Sequence, residues 1–196
     1  MNYKDSKHET MNPNYSIDWL KDQCSNGISK KILFFWGHNH KPNEPINKFC
    51  LSQWFESSFM INDVSYKTAE HWMMAQKALL FNDLDCYQAI MDATHPHEAK
   101  RIGRMVTGFS EKVWNEKRYE IVVKGNYYKF KQSPELSRFL INTKQRVIVE
   151  ASPVDKIWGI GLAKENDKAK NVFDWNGLNF LGFALMEVRD MLGKEV

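Results

Sequence analysis

Between Thr68 and Phe81 the apolar residues do not keep to one stripe. At about 100° per residue, Trp72, Met73, Met74, Ala75, Ala78, Leu79, Leu80 and Phe81 run most of the way round a helix, which predicts a buried one. Thr68 is a good N-cap, because its hydroxyl can accept from a first-turn N–H, and Glu70 sits where the helix dipole favours an acid. Ile32 to Trp36 reads as a strand, and so does the β-branched run Val147 to Glu150. Ser58 to Val64 reads as a strand and turn around Asn62-Asp63. Helices are expected over Ile17–Cys24 with Ser16 as cap, Asp83–Asp92, and from His95-Pro96 onward with Pro96 at the first helical position. Others run from Ser110 to Lys131, from Ser133 to about Asn142, and from Asn179 to Leu192 as an amphipathic closing helix. Gly125 costs the long helix roughly 1 kcal/mol against alanine, which predicts a bend or a tight contact there. Residues 1–14 read as a loose polar tail, and 151–177 as loop. Strands that are few and do not alternate with helices make the fold class α+β, mainly α.

The chain has 196 residues, enough for one domain with a real core. Its 27 basic and 24 acidic residues leave a net charge of +3, too mild for nucleic-acid binding by bulk charge but suited to an anionic small ligand. Cys24, Cys50 and Cys86 form neither a metal spacing nor a disulfide framework, so a reducing cytoplasm is expected. The longest strongly apolar run, Ile32 to Trp36, is far short of a membrane span, and no membrane partner is expected.

Glu70 and Lys77 are seven residues apart, within about 20° on one helix face. Either they form an internal salt bridge or snorkel, or they face a pocket as a proton-handling carboxylate and an amine made nucleophilic by burial. Direct pairing must span about 10 Å of rise. In Asp155-Lys156-Ile157-Trp158-Gly159-Ile160-Gly161, Trp158 either plugs the core or offers a flat face to a base, with Gly159 and Gly161 allowing close backbone approach. Arg101 and Arg104 share a helix face and either hold a phosphate or stay solvated. His38/His40 and His95/His97 lack further ligands at metal spacing, so no metal is expected. There is no P-loop, no dinucleotide fingerprint and no serine elbow, and no cofactor is expected. Phe34, Phe35, Trp36, Trp54 and Phe55 are an aromatic set, mostly for the core, with one or two free to wall a pocket.

Several of these pieces recur together in a known order. Thr68-Ala69-Glu70-His71-Trp72 through Gln76-Lys77 is followed by Ala99 to Arg104, Trp114, Lys129-Phe130 and Val149-Glu150-Ala151. Asp155 to Gly161, Gly177 to Gly182 and Leu185 to Arg189 complete the series. The series resembles the NADAR family, including its YbiA-like members, over about residues 32 to 192. The resemblance implies a single compact YbiA-like domain over 31–196, preceded by a tail and short helix over 1–30. It implies an N-glycosidase that cuts the ribose–base bond of phosphorylated ribosyl(amino)pyrimidine intermediates of riboflavin biosynthesis. Other members remove ADP-ribose from guanine in nucleic acid, and a non-catalytic ADP-ribose or nucleotide-binding module is a further alternative. The same resemblance implies that Glu70, Lys77, Asp155 and Trp158 line the site, and their chemistry makes Glu70, Lys77 and Asp155 the expected catalytic residues. Trp158, Gly159, Arg101, Arg104, Trp36 and His71 are expected to bind substrate. An insertion over about His38 to Lys48, Gln53 where asparagine is usual, and a long loop over Ala163–Trp175 depart from the family pattern.

Overall fold

The computed structural model describes residues 13–40 and 44–195. In chain order its helices and strands begin with α1 (Ile17–Ser25), β1 (Ile32–Phe35), β2 (Phe59–Ile61), β3 (Val64–Tyr66) and α2 (Ala69–Leu80). They continue with α3 (Leu84–Asp92), α4 (Pro96–Gly103), α5 (Glu111–Lys131), α6 (Pro134–Ile141), β4 (Val147–Glu150) and α7 (Phe180–Gly193). The fold is therefore α+β and mainly α, and every expected helix lies within a residue or two of its expected bounds. The chain forms two compact units, one from residues up to Phe35 and from Ile141 onward, the other from Trp36 to Leu140.

In the first unit β1 and β4 pair in parallel, Ile32 opposite Val147 through Phe35 opposite Glu150. Val147, Ile148 and Val149 are fully buried, as a β-branched run in a covered strand should be. Helix α7 packs on β4. Its cap, Asn179, adopts a left-handed backbone (φ 54°) and uses its side chain as a piece of strand. Oδ1 accepts the N–H of Glu150 at 3.0 Å and Nδ2 donates to the carbonyl of Ile148 at 2.9 Å. Gly182 is needed because a Cβ there would meet that same Ile148 carbonyl at 2.0 Å. The amphipathic reading of α7 is corrected: every residue from Leu181 to Arg189 is buried. Its two charges are answered internally. Glu187 accepts from Asn14 and Tyr15, and Arg189 donates to Thr143 Oγ1 and the Arg146 carbonyl. The loose tail is corrected at its end, since Asn14 is held to Glu187 by two hydrogen bonds. Residues 1–12 of that tail lie outside the described residues.

In the second unit β2 and β3 form a hairpin turned by Asn62 (φ 50°) and Asp63 (φ 62°). Two left-handed residues make the tight turn whose twist suits a hairpin. Helix α2 packs against α3, α4 and α5, and all its residues from Ala69 to Ala75 are buried. Two glycines admit it. A Cβ at Gly125 of α5 would lie 2.2 Å from Trp72, and one at Gly103 of α4 would lie 2.1 Å from the Met74 sulfur. Gly125 is thus a seat for an indole. Trp72 is fixed there by donating Nε1–H to the Ile121 carbonyl at 2.7 Å, with Tyr66 edge-on at 5.0 Å.

Candidate active site

Helix α2 carries the first group of side chains. Thr68 caps it, its hydroxyl accepting from the His71 N–H. Glu70 is 2% exposed in the first turn, where the free N–H groups and the dipole favour a carboxylate, and its backbone N–H donates to the Gln53 carbonyl at 3.0 Å. His71 is buried with both ring nitrogens engaged: Nε2 lies 3.1 Å from the Ala93 carbonyl and Nδ1 2.8 Å from the Thr68 hydroxyl. Burial lowers its pKa, so the neutral ring donates to Ala93 and accepts from Thr68. That makes it a tie between the start of α2 and the end of α3.

Lys77 lies about two turns along the same face of α2 from Glu70, and its amine donates to the Gly103 carbonyl at 2.7 Å. The amine sits 4.3 Å from the centre of the Phe109 ring and 5.8 Å from that of Trp114. Burial lowers its pKa, and the charge of Arg104 lowers it further. Phe109 is 44% exposed, so the amine's surround opens to solvent on that side. The turn before it is anchored: Asp83 accepts from both the N–H and the hydroxyl of Thr107, as well as from the Cys86 N–H. These bonds hold its carboxyl well below the usual range. Lys77 and Arg104 are thus brought together. Arg101 is exposed, with its guanidinium 3.8 Å from the Met105 sulfur. Trp36 is 55% exposed just beyond β1.

Asp155, Trp158 and Gly159 belong to the first unit. Asp155 Oδ1 accepts the backbone N–H groups of Ile157 at 2.9 Å and Trp158 at 2.8 Å, folding the loop round the carboxylate. This is the aspartate turn its short side chain favours. Trp158 is half-buried, edge-on to Phe180 at 6.2 Å. A Cβ on Gly159 would meet the Glu150 carbonyl at 2.8 Å, so the close approach that demands glycine is made by the chain itself.

Two further residues were not singled out as site residues from the sequence. Lys129 is 1% exposed and donates to the carbonyls of Cys50 at 2.7 Å and Ser52 at 2.8 Å, between the rings of Phe55 and Phe130. Burial pulls its pKa down to about 8. Asn126, fully buried one turn earlier, donates to Gln53 Oε1 at 2.8 Å. Together they clamp the segment whose Gln53 carbonyl takes the Glu70 N–H. A signal existed: Val122, Asn126, Lys129 and Phe130 recur at helical spacing on one face of α5. The 38–48 insertion rests partly on the same segment, with His38 against Trp54 and His40 against Phe55; residues 41–43 lie outside the described residues. Among the described residues no cluster of three or more histidine, cysteine or acidic side chains is placed to hold a metal, and no helix is long and apolar enough to cross a membrane.

These features match known proteins. N-glycosidase R617 of Acanthamoeba polyphaga mimivirus is 41% identical over 167 residues, covering 82% of this chain and 95% of that protein. The chloroplastic riboflavin biosynthesis protein PYRR of Zea mays is 35% identical over 137 residues, covering 66% of this chain but 20% of the longer protein. The NMR structure of E. coli YbiA shares the fold, with a TM-score of 0.66 at 24% identity, covering 85% of this chain and 87% of that one. The class these relatives define is that of hydrolases acting on N-glycosyl bonds. A family model described as the NADAR domain matches residues 34–193, and the chain belongs to that family.

Proposed function

We propose that this chain is an N-glycosidase for phosphorylated ribosyl(amino)pyrimidines, the class of early riboflavin-pathway intermediates. The observation that carries the reading is Lys77, an amine of lowered basicity, ringed by aromatic faces and beside Arg104, on the helix face that also carries the buried Glu70. The likeness to PYRR favours the small pyrimidine over a nucleic-acid substrate.

Cleaving an N-glycosidic bond builds positive charge on the sugar, which a carboxylate stabilises. In the proposed reaction the neutral Lys77 amine attacks C1′ and the C1′–N bond breaks. The electron pair goes to the base, which leaves with a proton from Glu70. The carboxylate then takes a proton from the nitrogen of the new C1′–N bond and passes it to the ring oxygen as the C1′–O bond breaks, which leaves an open sugar hydroxyl and a protonated imine on Lys77. Water hydrolyses the imine, returning the sugar aldehyde and free Lys77. The alternative is direct attack of water on C1′, with Lys77 as an electrostatic partner. Asp155 is assigned to the ribose hydroxyls or to that water. Trp158 stacks on the base, with Trp36 as a further exposed ring, and Arg104 and Arg101 meet the phosphate. Gly159 and His71 act by holding the loop and the helix start.

Incubation with a ribosylaminopyrimidine 5′-phosphate and, separately, with ADP-ribosylated guanine DNA tests the assignment by mass spectrometry of the products. Free pyrimidine from the first is the expected result. Release of ADP-ribose from the DNA alone would move the reading to the nucleic-acid substrate, and tight binding without cleavage would reduce it to a binding module.

A further inference from the structure

Phe109 falls between the Ala99–Arg104 and Trp114 motifs and belongs to neither, yet the fold builds a turn that places it. Gly108 just ahead takes a left-handed backbone (φ 66°), which glycine adopts at no steric cost. The Asp83 carboxylate holds the neighbouring Thr107 through both its N–H and its hydroxyl. Phe81, at the end of α2, meets the Phe109 ring at 5.3 Å and a steep interplanar angle of 64°. Backbone, hydrogen bonds and ring packing thus agree on where this partly exposed ring sits. Over it lies the Lys77 amine, 4.3 Å from the ring centre.

An aromatic face is the negative end of the ring's quadrupole. It attracts a cation and does little for a neutral amine. That difference matters in the reaction. When neutral Lys77 attacks, Nζ takes on positive charge as it bonds to C1′, and C1′ is itself positive while the base departs. The charge persists in the protonated imine. A contact that is stronger with the charged atoms than with the starting amine lowers the barrier rather than only tightening binding. We infer that the Phe109 ring face is a catalytic element, holding the positive charge that grows on Nζ and C1′ as the glycosidic bond breaks. This rests on the glycosidase reading with Lys77 as the attacking amine, and deepens it. Trp114, 5.8 Å from the amine, is the more distant face and stands near the limit of such an interaction.

Replacing Phe109 with mono-, di- and trifluorophenylalanine drains the ring face in steps while keeping its shape. Cyclohexylalanine removes the face and keeps the apolar bulk. Single-turnover release of pyrimidine from a ribosylaminopyrimidine 5′-phosphate is followed against pH for each protein. The ring also favours the resting ammonium, so each fluorine should lower the midpoint of the profile as well as the plateau above it. Arg104 from α4 and Cys86 from α3, the other groups that bear on the Lys77 charge, are unchanged across the series. The plateau rate is expected to fall stepwise, ending about 5- to 30-fold below wild type with cyclohexylalanine. A plateau that stays level across the series overturns the inference and leaves the glycosidase reading standing. So does one that falls with cyclohexylalanine but not with fluorine, which marks an effect of shape. If the wild type releases ADP-ribose from guanine DNA instead, the same series on that substrate decides the role of the ring. A wild type that cleaves neither substrate defeats the glycosidase reading, and the inference falls with it.

Discussion

Gly125→Ala sets local propensity against packing. In an isolated helix, alanine gains about 1 kcal/mol over glycine. Here the added Cβ falls 2.2 Å from Trp72 Cδ1 and 2.6 Å from its Nε1, well inside the roughly 3.5–4.0 Å at which carbon atoms rest. The indole has little room to yield. It is 3% exposed, bonded to the Ile121 carbonyl at 2.7 Å and set edge-on against Tyr66. Overpacking of this kind costs about 1–3 kcal/mol, and a stretched indole hydrogen bond about 1 more. After the helix gain is subtracted, a net loss of about 1–3 kcal/mol remains, or roughly 3–10 °C in Tm for a chain of this size. Thermal and urea unfolding of the variant measure it. Adding Trp72→Phe should recover part of the loss, because the smaller ring vacates the overlap. A variant as stable as the wild type would refute the packing argument and leave only the propensity term.

Trapping of a Lys77 adduct by borohydride should rise with pH and level off below 10.5, because the neutral amine attacks and burial lowers its pKa; Lys77→Met should abolish trapping, and an unchanged yield would exclude the imine route. Lys129 should make the protein more stable as pH rises from about 8 to 10.5. The unfolded chain then binds the proton that the buried amine has released, worth up to about 3 kcal/mol, and urea unfolding of Lys129→Met should lack that rise. The Cys50 thiol, pushed up to about 12, opposes it above pH 9 in both proteins. Asp155→Asn keeps an oxygen for the Ile157 and Trp158 N–H groups and removes only the charge. It should fold like the wild type yet lose activity about 10-fold or more in steady-state assays if the carboxylate acts on the sugar, whereas Asp155→Ala should also loosen the loop.

Much of the chain's local order follows from neighbours in sequence. Thr68, Ser16 and Ser110 cap the helices that their positions announce. Asn62-Asp63 turns the hairpin because asparagine and aspartate tolerate positive φ. The all-round apolar pattern of α2 meant burial. Each of these depends on contacts a few residues apart, so residue type and spacing are sufficient.

The tertiary structure decided what the polar residues do. The closing helix looked amphipathic because Glu187 and Arg189 are charged, and only the distant Asn14, Thr143 and Arg146 make it possible to bury them. Gly159 suggested close approach of a ligand, but its space is taken by the Glu150 carbonyl. His71 reads as a site residue in sequence, yet both its nitrogens are engaged within the fold. Glu70 and Lys77 were placed on one face by helix geometry alone, but their separation into a buried carboxylate and a Gly103-bonded amine required α4 to arrive beside α2. Gln53, Asn126 and Lys129 meet across more than seventy residues. Local pattern fixes backbone conformation and which face is apolar, whereas a buried polar group is defined by its partner, and here the partners lie far away along the chain.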